Sequence, residues 1–495
     1  MELFARLSQH AVRAPSAIAA REVGVGCSAA VTYGALWERV GAVSDALRGR
    51  VEPGQVVILV TGNRVEYFVA CLAVWAAGCV VMPMHPSVAE TELAGAARRT
   101  GARLVVRDSR HVSGEIEGCE GVPVIELSDL VWNAGDAGVQ RGRVLAESGR
   151  AGLLLQSSGT TGLPKIARRS ADAVDAVARN VADAAGLRGK DRVFGAVPIC
   201  HAYGIENGFL APLWAGSTVH LCDGLDVPVA MAQFAGDCSV FPGVPFMFEV
   251  LSKTEGLRGR CSLRLAYSAG GMLPPAVAHA FEERFGRRVG QLYGASELGS
   301  VTFNHPDQPA ADPLSVGQPM QGVDIRVLDP GREDPGHPLA SGLEGLVAIK
   351  APSMMSGYVG DGADEHESVS LVNGYFLTGD LGRVSPAGDL VITGRLKNLI
   401  DIGGMKVNPA EVEVVLKEHP SIAECVVVPM PVTPTVSRLR AFVVPSNGGV
   451  DTEELRRFAR GRLPGYKVPR LIEVRETLPR SASGKILRSQ LEAAE

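Results

Sequence analysis

A short segment of this sequence combines hydroxyl side chains, glycines and a lysine in an order that suits the binding of phosphate. The apolar residues 153–155 are followed closely by Ser157, Ser158, Gly159, Thr160, Thr161, Gly162 and, after Leu163 and Pro164, by Lys165. Glycines let backbone N–H groups approach an anion closely, hydroxyls donate further hydrogen bonds, and the lysine adds positive charge. The segment therefore predicts a loop that binds nucleotide phosphates.

Two other interpretations of this loop are possible. The P-loop NTPase motif ends in Gly-Lys followed by Ser or Thr, and this loop differs from it because Pro164 precedes Lys165. An ordinary turn rich in glycine and serine is the simpler alternative. The complete run, with Pro and Lys at its end, favours the phosphate loop.

Strand and helix patterns alternate on both sides of the loop and predict the elements that position it. A buried strand over residues 56–60 is followed by a helix to about residue 77 and a strand over 80–82. A helix over 90–99 and strands over 103–106, 153–155, 192–197 and 218–221 continue the alternation. This alternation predicts an α/β fold with doubly wound sheets.

The end of the chain has a different pattern. From residue 394 we predict a short strand, a helix over 409–417, strands over 423–429 and 439–445, a helix over 452–462 and a strand over 471–474. These elements predict a small α+β domain of about a hundred residues. We place the boundary between residues 1–394 and residues 395–495.

Residues 67–84 are almost wholly apolar and nearly long enough to span a membrane. Gly78 and Pro83 interrupt this stretch, and its end is rich in valine. A buried helix that leads into a buried strand is therefore the better interpretation. We expect no membrane partner.

Charge and cysteine content narrow the class of protein further. The net charge is −5, and the sequence contains no basic tract with interleaved aromatic residues, so we expect no nucleic-acid partner. The nine cysteines form no zinc-ligand pattern, and the N-terminus has no apolar signal core. These features predict reduced thiols and a cytoplasmic protein, either a monomer or a homodimer.

A series of motifs, in this order and spacing, resembles the ANL superfamily of adenylate-forming enzymes. The superfamily contains acyl- and aryl-CoA synthetases, peptide-synthetase adenylation domains and luciferases. The motifs are VTYGAL at residue 31, AAGCVVMPMHP at 76, SSGTTGLPK at 157, YGASE at 293, GYFLTGD at 374, GRLKNLIDIGGMKVNPAEVE at 394 and PRSASGK at 479. The resemblance implies a large N-terminal domain, a small mobile C-terminal domain, and ATP and Mg²⁺ as cofactors.

The resemblance also assigns roles to individual residues. Lys485 matches the lysine that stabilises the adenylation transition state, Glu297 with Thr161 matches the Mg²⁺ site, and Asp380 with Arg395 matches the ribose contacts. The matching nucleotide contacts are the loop residues 157–162 with Lys165, together with Gly270, Tyr293, Gly294, Ala295 and Ser296. Each residue alone has an ordinary structural explanation, such as a turn aspartate, a core tyrosine or a solvated lysine.

A second half-reaction is implied by the motif at residue 394. Lys397 matches the hinge about which the C-terminal domain rotates, and Gly403 and Gly404 match the lining of a tunnel for pantetheine. A thiol acceptor follows from this match. CoA is the expected acceptor, and the pantetheine of an acyl carrier protein acting in trans is the alternative.

The acid that is activated is expected to bind near residues 197–216, which match the substrate block of the family. No aspartate stands where amino-acid-activating members hold an ammonium group, and the residues His201, Tyr203 and Asn207 resemble those of aryl-acid ligases. The expected pocket consists of these three residues and Phe246, Ser268, Gly270, Leu292 and Val301. Leu292 should shorten the pocket, which favours a benzoate-sized acid. His201 is also a candidate catalytic residue, and a packed core histidine is its alternative.

The sequence therefore predicts an AMP-forming acid–thiol ligase for an aryl or short acyl acid. The first alternative keeps adenylation but passes the acyl group to a carrier protein or to another nucleophile. The second alternative is a nucleotide-binding pseudoenzyme or scaffold. The presence of Lys165, Glu297, Asp380 and Lys485 argues against that second alternative.

Overall fold

The computed structural model describes residues 1–492 apart from 25, 28, 109–120, 133–147, 157–164, 257–260, 361–370, 397–399, 403–404, 434–435, 447–448 and 481–485. The chain forms two compact units. The N-terminal unit comprises Met1–Ile325, Ile349–Phe376 and Gly388–Leu390, and the C-terminal unit comprises Arg326–Ala348, Leu377–Ala387 and Val391–Glu495. The boundary predicted after residue 394 stays a prediction.

Strands occur throughout both units. In chain order, those within the described ranges are β1 (Ile18–Glu22), β2 (Ala30–Thr32), β3 (Val56–Val60), β4 (Val80–Met84), β5 (Leu104–Arg107), β6 (Val124–Glu126), β7 (Gly152–Gln156), β8 (Ile166–Ser170), β9 (Arg192–Gly195), β10 (Thr218–Leu221), β11 (Val240–Gly243), β12 (Leu265–Ser268), β13 (Val289–Ala295), β14 (Gly299–Asn304), β15 (Ser315–Pro319), β16 (Asp324–Leu328), β17 (Gly345–Lys350), β18 (Gly357–Val359), β19 (Leu371–Val372), β20 (Tyr375–Val384), β21 (Leu390–Arg395), β22 (Ile400–Ile402), β23 (Met405–Val407), β24 (Ile422–Thr433), β25 (Val436–Pro445) and β26 (Leu471–Val474).

The helices lie between these strands. They are α1 (Glu2–Arg13), α2 (Tyr33–Arg48), α3 (Val65–Ala76), α4 (Glu90–Thr100), α5 (Leu127–Trp132), α6 (Ala171–Ala184), α7 (Ala202–Ile205), α8 (Ala211–Ala215), α9 (Val227–Ala235), α10 (Pro245–Lys253), α11 (Pro275–Phe285), α12 (Pro409–Lys417), α13 (Thr452–Arg460) and α14 (Arg488–Glu492). A π-helical turn, Glu206–Leu210, connects α7 to α8. Side-chain caps define several of the helix starts, for example Ser170, whose hydroxyl accepts a hydrogen bond from the Ala173 N–H at 3.2 Å.

The N-terminal unit contains two sheets. One sheet has the order β18-β8-β7-β4-β3-β5-β6, in which β3 to β7 run parallel and β8 and β18 run antiparallel to their neighbours. The other has the order β15-β14-β13-β12-β11-β9-β10-β1-β2, with a parallel centre from β13 to β1. Parallel strands with helical crossovers are the α/β arrangement that the sequence predicted, and the predicted fold class is confirmed.

Helix α3 shows why the apolar stretch near residue 70 is not a membrane span. Every residue of this helix is buried, and all but Glu66 belong to the largest hydrophobic cluster of the N-terminal unit. Phe68 packs edge-to-face on Phe209 with ring centroids 4.5 Å apart, and the Trp75 indole N–H donates to the Gly152 carbonyl at 2.8 Å. Within the described ranges, no helix is both long and apolar enough to cross a membrane.

In the C-terminal unit, β24, β25 and β26 form a small sheet against which α12 and α13 lie. Asn408 caps α12 by accepting from the Ala410 N–H at 3.0 Å, and Asp451 caps α13 by accepting from the Glu453 N–H at 2.9 Å. The apolar faces of both helices pack on the sheet through Val412, Leu416 and Leu455. The predicted order of strands and helices is found here, with the limits of α12 and β26 as predicted.

Candidate active site

Part of the predicted site lies outside the described residues. These residues are Ser157, Ser158, Gly159, Thr160, Thr161, Gly162, Lys397, Gly403, Gly404 and Lys485. The strands on both sides of the predicted phosphate loop are described, because β7 ends at Gln156 and β8 begins at Ile166, directly after Lys165. Gln156 pairs with Ile166 in the antiparallel ladder, so the two ends of the loop are held side by side.

Glu297 lies in the turn between β13 and β14, two antiparallel strands. Gly299 ends this turn with φ of 81°, a conformation that glycine adopts readily, and a Cβ there would lie 3.1 Å from the Ser353 hydroxyl. The Met355 N–H donates to the Glu297 carbonyl at 2.7 Å, and the Ser353 hydroxyl donates to the Leu298 carbonyl at 2.7 Å. The backbone of the turn is therefore fixed by the segment that leads into β18.

Tyr358, on β18, lies between Lys165 and Glu297. Its hydroxyl donates to Glu297 Oε1 at 3.1 Å, and the Lys165 ammonium lies 4.9 Å from the centroid of its ring, within the range of a cation–π contact. The structure thus brings together the lysine that ends the predicted phosphate loop and the predicted metal carboxylate. Tyr358 was not among the predicted site residues, and the sequence offers no motif of its own that marks it.

The geometry around Glu297 suits Mg²⁺. Magnesium in nucleotide sites is usually bound by one or two carboxylates together with phosphate oxygens and water. Glu297 Oε2 accepts no hydrogen bond from the described residues, whereas Oε1 is oriented by Tyr358. Among the described residues no group of three or more His, Cys, Asp or Glu side chains could hold a metal without other ligands. The donor set therefore fits an ion shared with a nucleotide.

A buried ion pair lies beneath the Glu297 turn. Arg169 on β8 is fully buried, and its guanidinium Nη1 donates to Glu206 Oε1 at 2.5 Å. The same guanidinium donates to the Ser296 carbonyl from Nε and Nη2 at 3.1 and 2.8 Å, and to the Ala295 carbonyl at 3.0 Å. Neither charged residue was among the predicted site residues. The alternation along β8 is a usable signal, because Arg169 shares a face with Ala167, which is buried.

The predicted acid pocket includes Tyr203 and Asn207, and these two residues form a hydrogen-bonded cluster. The Asn207 side chain donates to the Tyr203 carbonyl at 3.0 Å and accepts from the Tyr267 hydroxyl at 2.9 Å. The Tyr203 hydroxyl donates to the Tyr267 carbonyl at 3.2 Å. Burial raises the pKa of Tyr203 well above its usual value, so the phenol stays neutral and acts as a donor.

The remaining pocket candidates differ in exposure. Leu292 on β13 and Val301 on β14 are buried, and Leu292 is opposite Phe303 in the ladder. Ser268 is buried at the carboxyl end of β12, and its hydroxyl has no hydrogen-bond partner among the described residues. Gly270 follows with φ of 83°. Phe246 is 48% exposed at the start of α10, so its ring is available to a ligand or to solvent.

His201 lies at the exposed N-terminal end of α7. Its neighbour Cys200 is buried, and burial raises the pKa of that thiol to about 12, so Cys200 is a protonated packing residue and not a nucleophile at neutral pH. The exposure of His201 is compatible with contact to a substrate or a thiol. The predicted catalytic role of His201 stays a prediction.

In the C-terminal unit, the two predicted ribose contacts lie next to each other. Asp380 is buried and accepts a hydrogen bond from the Arg395 guanidinium at 2.6 Å, while the Arg395 side chain is 55% exposed. The Asp380 N–H donates to the Thr378 hydroxyl at 3.0 Å, which orients the backbone at Asp380. An aspartate in this position can accept two further donors in one plane.

Most of the chain matches a known protein family. The profile of the family described as AMP-binding enzyme matches residues 7–359, and that of the AMP-binding enzyme C-terminal domain matches residues 411–485. The chain is 29% identical over 487 residues to a feruloyl-CoA synthase of Amycolatopsis, and the match covers 96% of both chains.

Two solved structures share the fold over nearly the full length. ATP-bound MatB of Rhodopseudomonas palustris superposes with a TM-score of 0.89 at 27% identity, covering 99% of this chain and 98% of the other. The o-succinylbenzoate CoA synthetase of Bacillus subtilis, in complex with its acyl-adenylate intermediate, gives 0.85 at 26% identity with the same coverage. These proteins are similar to this chain in fold and in the order of their domains.

Proposed function

The chain belongs to the AMP-binding enzyme family of adenylate-forming enzymes, and on that premise we propose that it is an acid–thiol ligase that forms AMP. It activates a carboxylic acid as acyl-AMP at the expense of ATP and then forms a thioester with CoA. The membership of the ANL superfamily predicted from the motifs is confirmed. The observation that carries the proposal is that the turn of Glu297 contacts both strands that bracket the predicted phosphate loop. Arg169 on β8 donates to the Ser296 carbonyl, and the Ser296 hydroxyl donates to the Gln156 carbonyl at the end of β7.

In the first step, a carboxylate oxygen of the acid forms a bond to the α-phosphorus of ATP. The bond from that phosphorus to the bridging oxygen breaks, and pyrophosphate leaves. A bound Mg²⁺ neutralises charge on the phosphates. We assign Glu297 and Thr161 to hold this ion, the loop residues with Lys165 to bind phosphate, and Asp380 with Arg395 to bind ribose. Lys485 supplies positive charge at the reacting phosphate.

In the second step, the thiolate of CoA forms a bond to the acyl carbon, the bond to the phosphate oxygen breaks, and AMP leaves. Curated relatives described as CoA ligases support CoA as the acceptor. We retain Lys397 as the hinge and Gly403 with Gly404 as the tunnel lining for this step. A carrier protein acting in trans remains the alternative acceptor.

The side chains of the acid pocket favour an aromatic monocarboxylic acid of about benzoate size. Leu292 and Val301 are apolar, and Tyr203 and Asn207 use their polar groups on each other and on Tyr267. The nearby Arg169 guanidinium donates to Glu206 and to two backbone carbonyls, so it is engaged rather than available for a second carboxylate. An acid that carries no charge besides its reacting carboxylate therefore fits the described residues better than a diacid does.

The test is an acid panel assayed for exchange of labelled pyrophosphate into ATP in the presence of Mg²⁺. Benzoates and cinnamates should support exchange, with malonate and other diacids near background. Adding CoA should then produce a thioester of the expected mass. Exchange with none of the acids would refute the ligase proposal, whereas exchange with diacids alone would refute only the assignment of the pocket.

Leu292 offers a separate test of the pocket. Leu292→Gly removes a buried side chain and should admit larger acids, so the preference should shift from benzoates towards cinnamates. Leu265→Ala, at a buried leucine of the neighbouring strand β12 outside the predicted pocket, is the matched control and should leave the order of preference unchanged. An unchanged order of preference in Leu292→Gly would show that this leucine does not line the pocket.

A further inference from the structure

The buried pair Arg169–Glu206 holds the Glu297 turn from both sides. Arg169 donates to the carbonyls of Ala295 and Ser296, which precede Glu297. Glu206 Oε2 accepts from both the N–H and the hydroxyl of Ser300, at 2.9 and 2.6 Å, and Ser300 follows the turn. One ion pair therefore connects the backbone before the predicted metal carboxylate to the backbone after it.

Stability of the fold alone is a poor explanation for this pair. Burying two charges away from water is costly, and replacing a buried ion pair with well-packed apolar residues often leaves stability unchanged or raises it. The side chains of Arg169 and Glu206 are 0% and 2% exposed, so water solvates neither charge and the cost of burial is not reduced. What the pair supplies in return is a set of directional hydrogen bonds to Ala295 and Ser296 before Glu297 and to Ser300 after it, which fixes the position of the turn between them.

The elements that carry the pair connect the turn to the rest of the site. Arg169 lies on β8, the strand that leaves the predicted phosphate loop directly after Lys165. Glu206 begins the π-helical turn, next to Asn207 of the acid-pocket cluster. π-Helical turns occur frequently at functional sites. The pair therefore links the strand that follows the predicted phosphate loop, the π-helical turn that carries Asn207, and the Glu297 turn.

We infer that Arg169 and Glu206 are a positioning pair for the metal carboxylate Glu297, an inference that rests on the proposed function. Both side chains are buried and bond to protein groups, so the pair acts through the position of Glu297. It sets the distance between Glu297 and the phosphates, and outer groups of this kind typically change metal affinity or activity by about 10–100-fold when they are replaced.

The experiment compares Arg169→Lys and Glu206→Gln with the wild-type enzyme in pyrophosphate exchange at varied Mg²⁺. Lysine keeps the charge but cannot make the forked bonds. Glutamine has only one acceptor oxygen, so it cannot accept from Arg169 on one oxygen and from Ser300 on the other, as the Glu206 carboxylate does. Both variants should need about tenfold more Mg²⁺ for half-maximal exchange. Thioester formation from supplied acyl-AMP and CoA should stay within about twofold of wild type, because that step makes no use of Glu297 in the proposed mechanism.

Arg264→Lys is the matched control within the same unit. Arg264 forms a bidentate pair with Asp191, both contacts at 2.7 Å, and also donates to the Gly186 carbonyl, but it contacts no residue of the Glu297 turn. This variant should lower the melting temperature without moving the Mg²⁺ requirement. Ser300→Ala removes only the hydroxyl contact with Glu206, so it should raise the Mg²⁺ requirement by a smaller factor than the charged variants do. This variant keeps the test usable if the variants of Arg169 and Glu206 fold poorly.

Three results would overturn the inference. Variants of Arg169 and Glu206 that lose stability but keep the wild-type Mg²⁺ requirement would show a purely structural pair. Equal losses in exchange and in thioester formation would show a general disturbance of the site, and so would an Mg²⁺ shift in Arg264→Lys as large as that in Arg169→Lys. If wild-type enzyme shows no acid-dependent exchange, the proposed function fails first, and that outcome is distinct from these three.

Discussion

Glu297 and Asp380, the two carboxylates assigned to ATP, are held in different ways. Glu297 is oriented by Tyr358, and its turn is fixed by Met355, Ser353 and the buried pair beneath it. Asp380 is buried but has a partner, Arg395, whose side chain is more than half exposed. The proposed metal carboxylate is therefore preorganised, whereas the proposed ribose carboxylate has among its partners an arginine that can move at low cost.

A metal site and a ribose contact place different demands on the position of a carboxylate. A metal site must hold its carboxylate at a fixed distance from the phosphates, because small displacements weaken charge stabilisation in the transition state. A ribose contact only needs to accept two hydroxyl groups, and an exposed arginine can rearrange when they arrive. We therefore expect changes near Glu297 to act on the chemical step and changes near Asp380 to act mainly on nucleotide binding.

Glu297→Gln should give the largest effect. The amide keeps the size and the contact with Tyr358 but removes the negative charge, and loss of one preorganised electrostatic group typically costs about 10²–10³ in rate. The rate of acid-dependent pyrophosphate exchange at saturating ATP measures it. A drop in exchange that excess Mg²⁺ fully restores would place Glu297 outside the transition-state contacts.

Asp380→Ala should have the next largest effect, and it should act on ATP affinity. Hydrogen bonds to a charged group contribute roughly 1.5–3 kcal/mol each, so losing the ribose contacts should raise the KM for ATP by about 10²-fold. The control is 2′-deoxy-ATP, which wild-type enzyme should use less well than ATP. If Asp380→Ala still discriminates between the two nucleotides to the same extent, Asp380 does not bind the ribose.

The sequence predicted both carboxylates and Arg395, the partner of Asp380, but not the groups that hold Glu297. Glu297 and Asp380 are each part of a local motif, YGASE or TGD, and can be recognised from a few neighbouring residues. Arg169 and Glu206 are 37 positions apart, and they meet only because β8 and the π-helical turn pack on the same turn. Tyr358 is likewise distant in sequence from Glu297. Contacts that tertiary packing creates between distant residues leave no local pattern.

The sequence predicted the fold more completely than it predicted the contacts within the site. Periodic apolar runs predicted β3, α3, β10, α12 and β26 close to their observed limits, because burial on a strand or a helix face imposes a local period. The π-helical turn at Glu206 was not predicted, since its residues satisfy an ordinary helical pattern as well. At this turn Glu206 bonds to Arg169 and Ser300, and these contacts with distant residues are visible only in the tertiary structure.

Tyr358→Phe should give a smaller effect than either carboxylate change. It removes one hydrogen bond to Glu297 Oε1 but keeps the ring beneath Lys165, so adenylation should fall by about fivefold, in line with the value of one hydrogen bond. Exchange assays at two Mg²⁺ concentrations measure it. Tyr358→Leu, which removes the ring as well, should cost more. Equal activity in the two variants would show that the cation–π contact contributes nothing.

Arg395→Lys should give the smallest effect of the four. The Arg395 side chain is 55% exposed, and ion pairs with an exposed partner contribute little, so the KM for ATP should rise by about threefold or less. Steady-state kinetics with varied ATP measure it. A loss as large as that of Asp380→Ala would mean that the guanidinium of Arg395 is as important for ribose binding as Asp380 and that the pair is more rigid than its exposure indicates.

The central claim, that this enzyme joins a carboxylic acid to AMP, is tested most directly by following the carboxylate oxygen. An acid that supports exchange is labelled with ¹⁸O in its carboxylate and incubated with ATP, Mg²⁺ and CoA, and the products are analysed by mass spectrometry. Attack on the α-phosphorus followed by thiolysis at the acyl carbon predicts one ¹⁸O atom in AMP and none in pyrophosphate. Formation of ADP, or ¹⁸O in inorganic phosphate, would contradict the account.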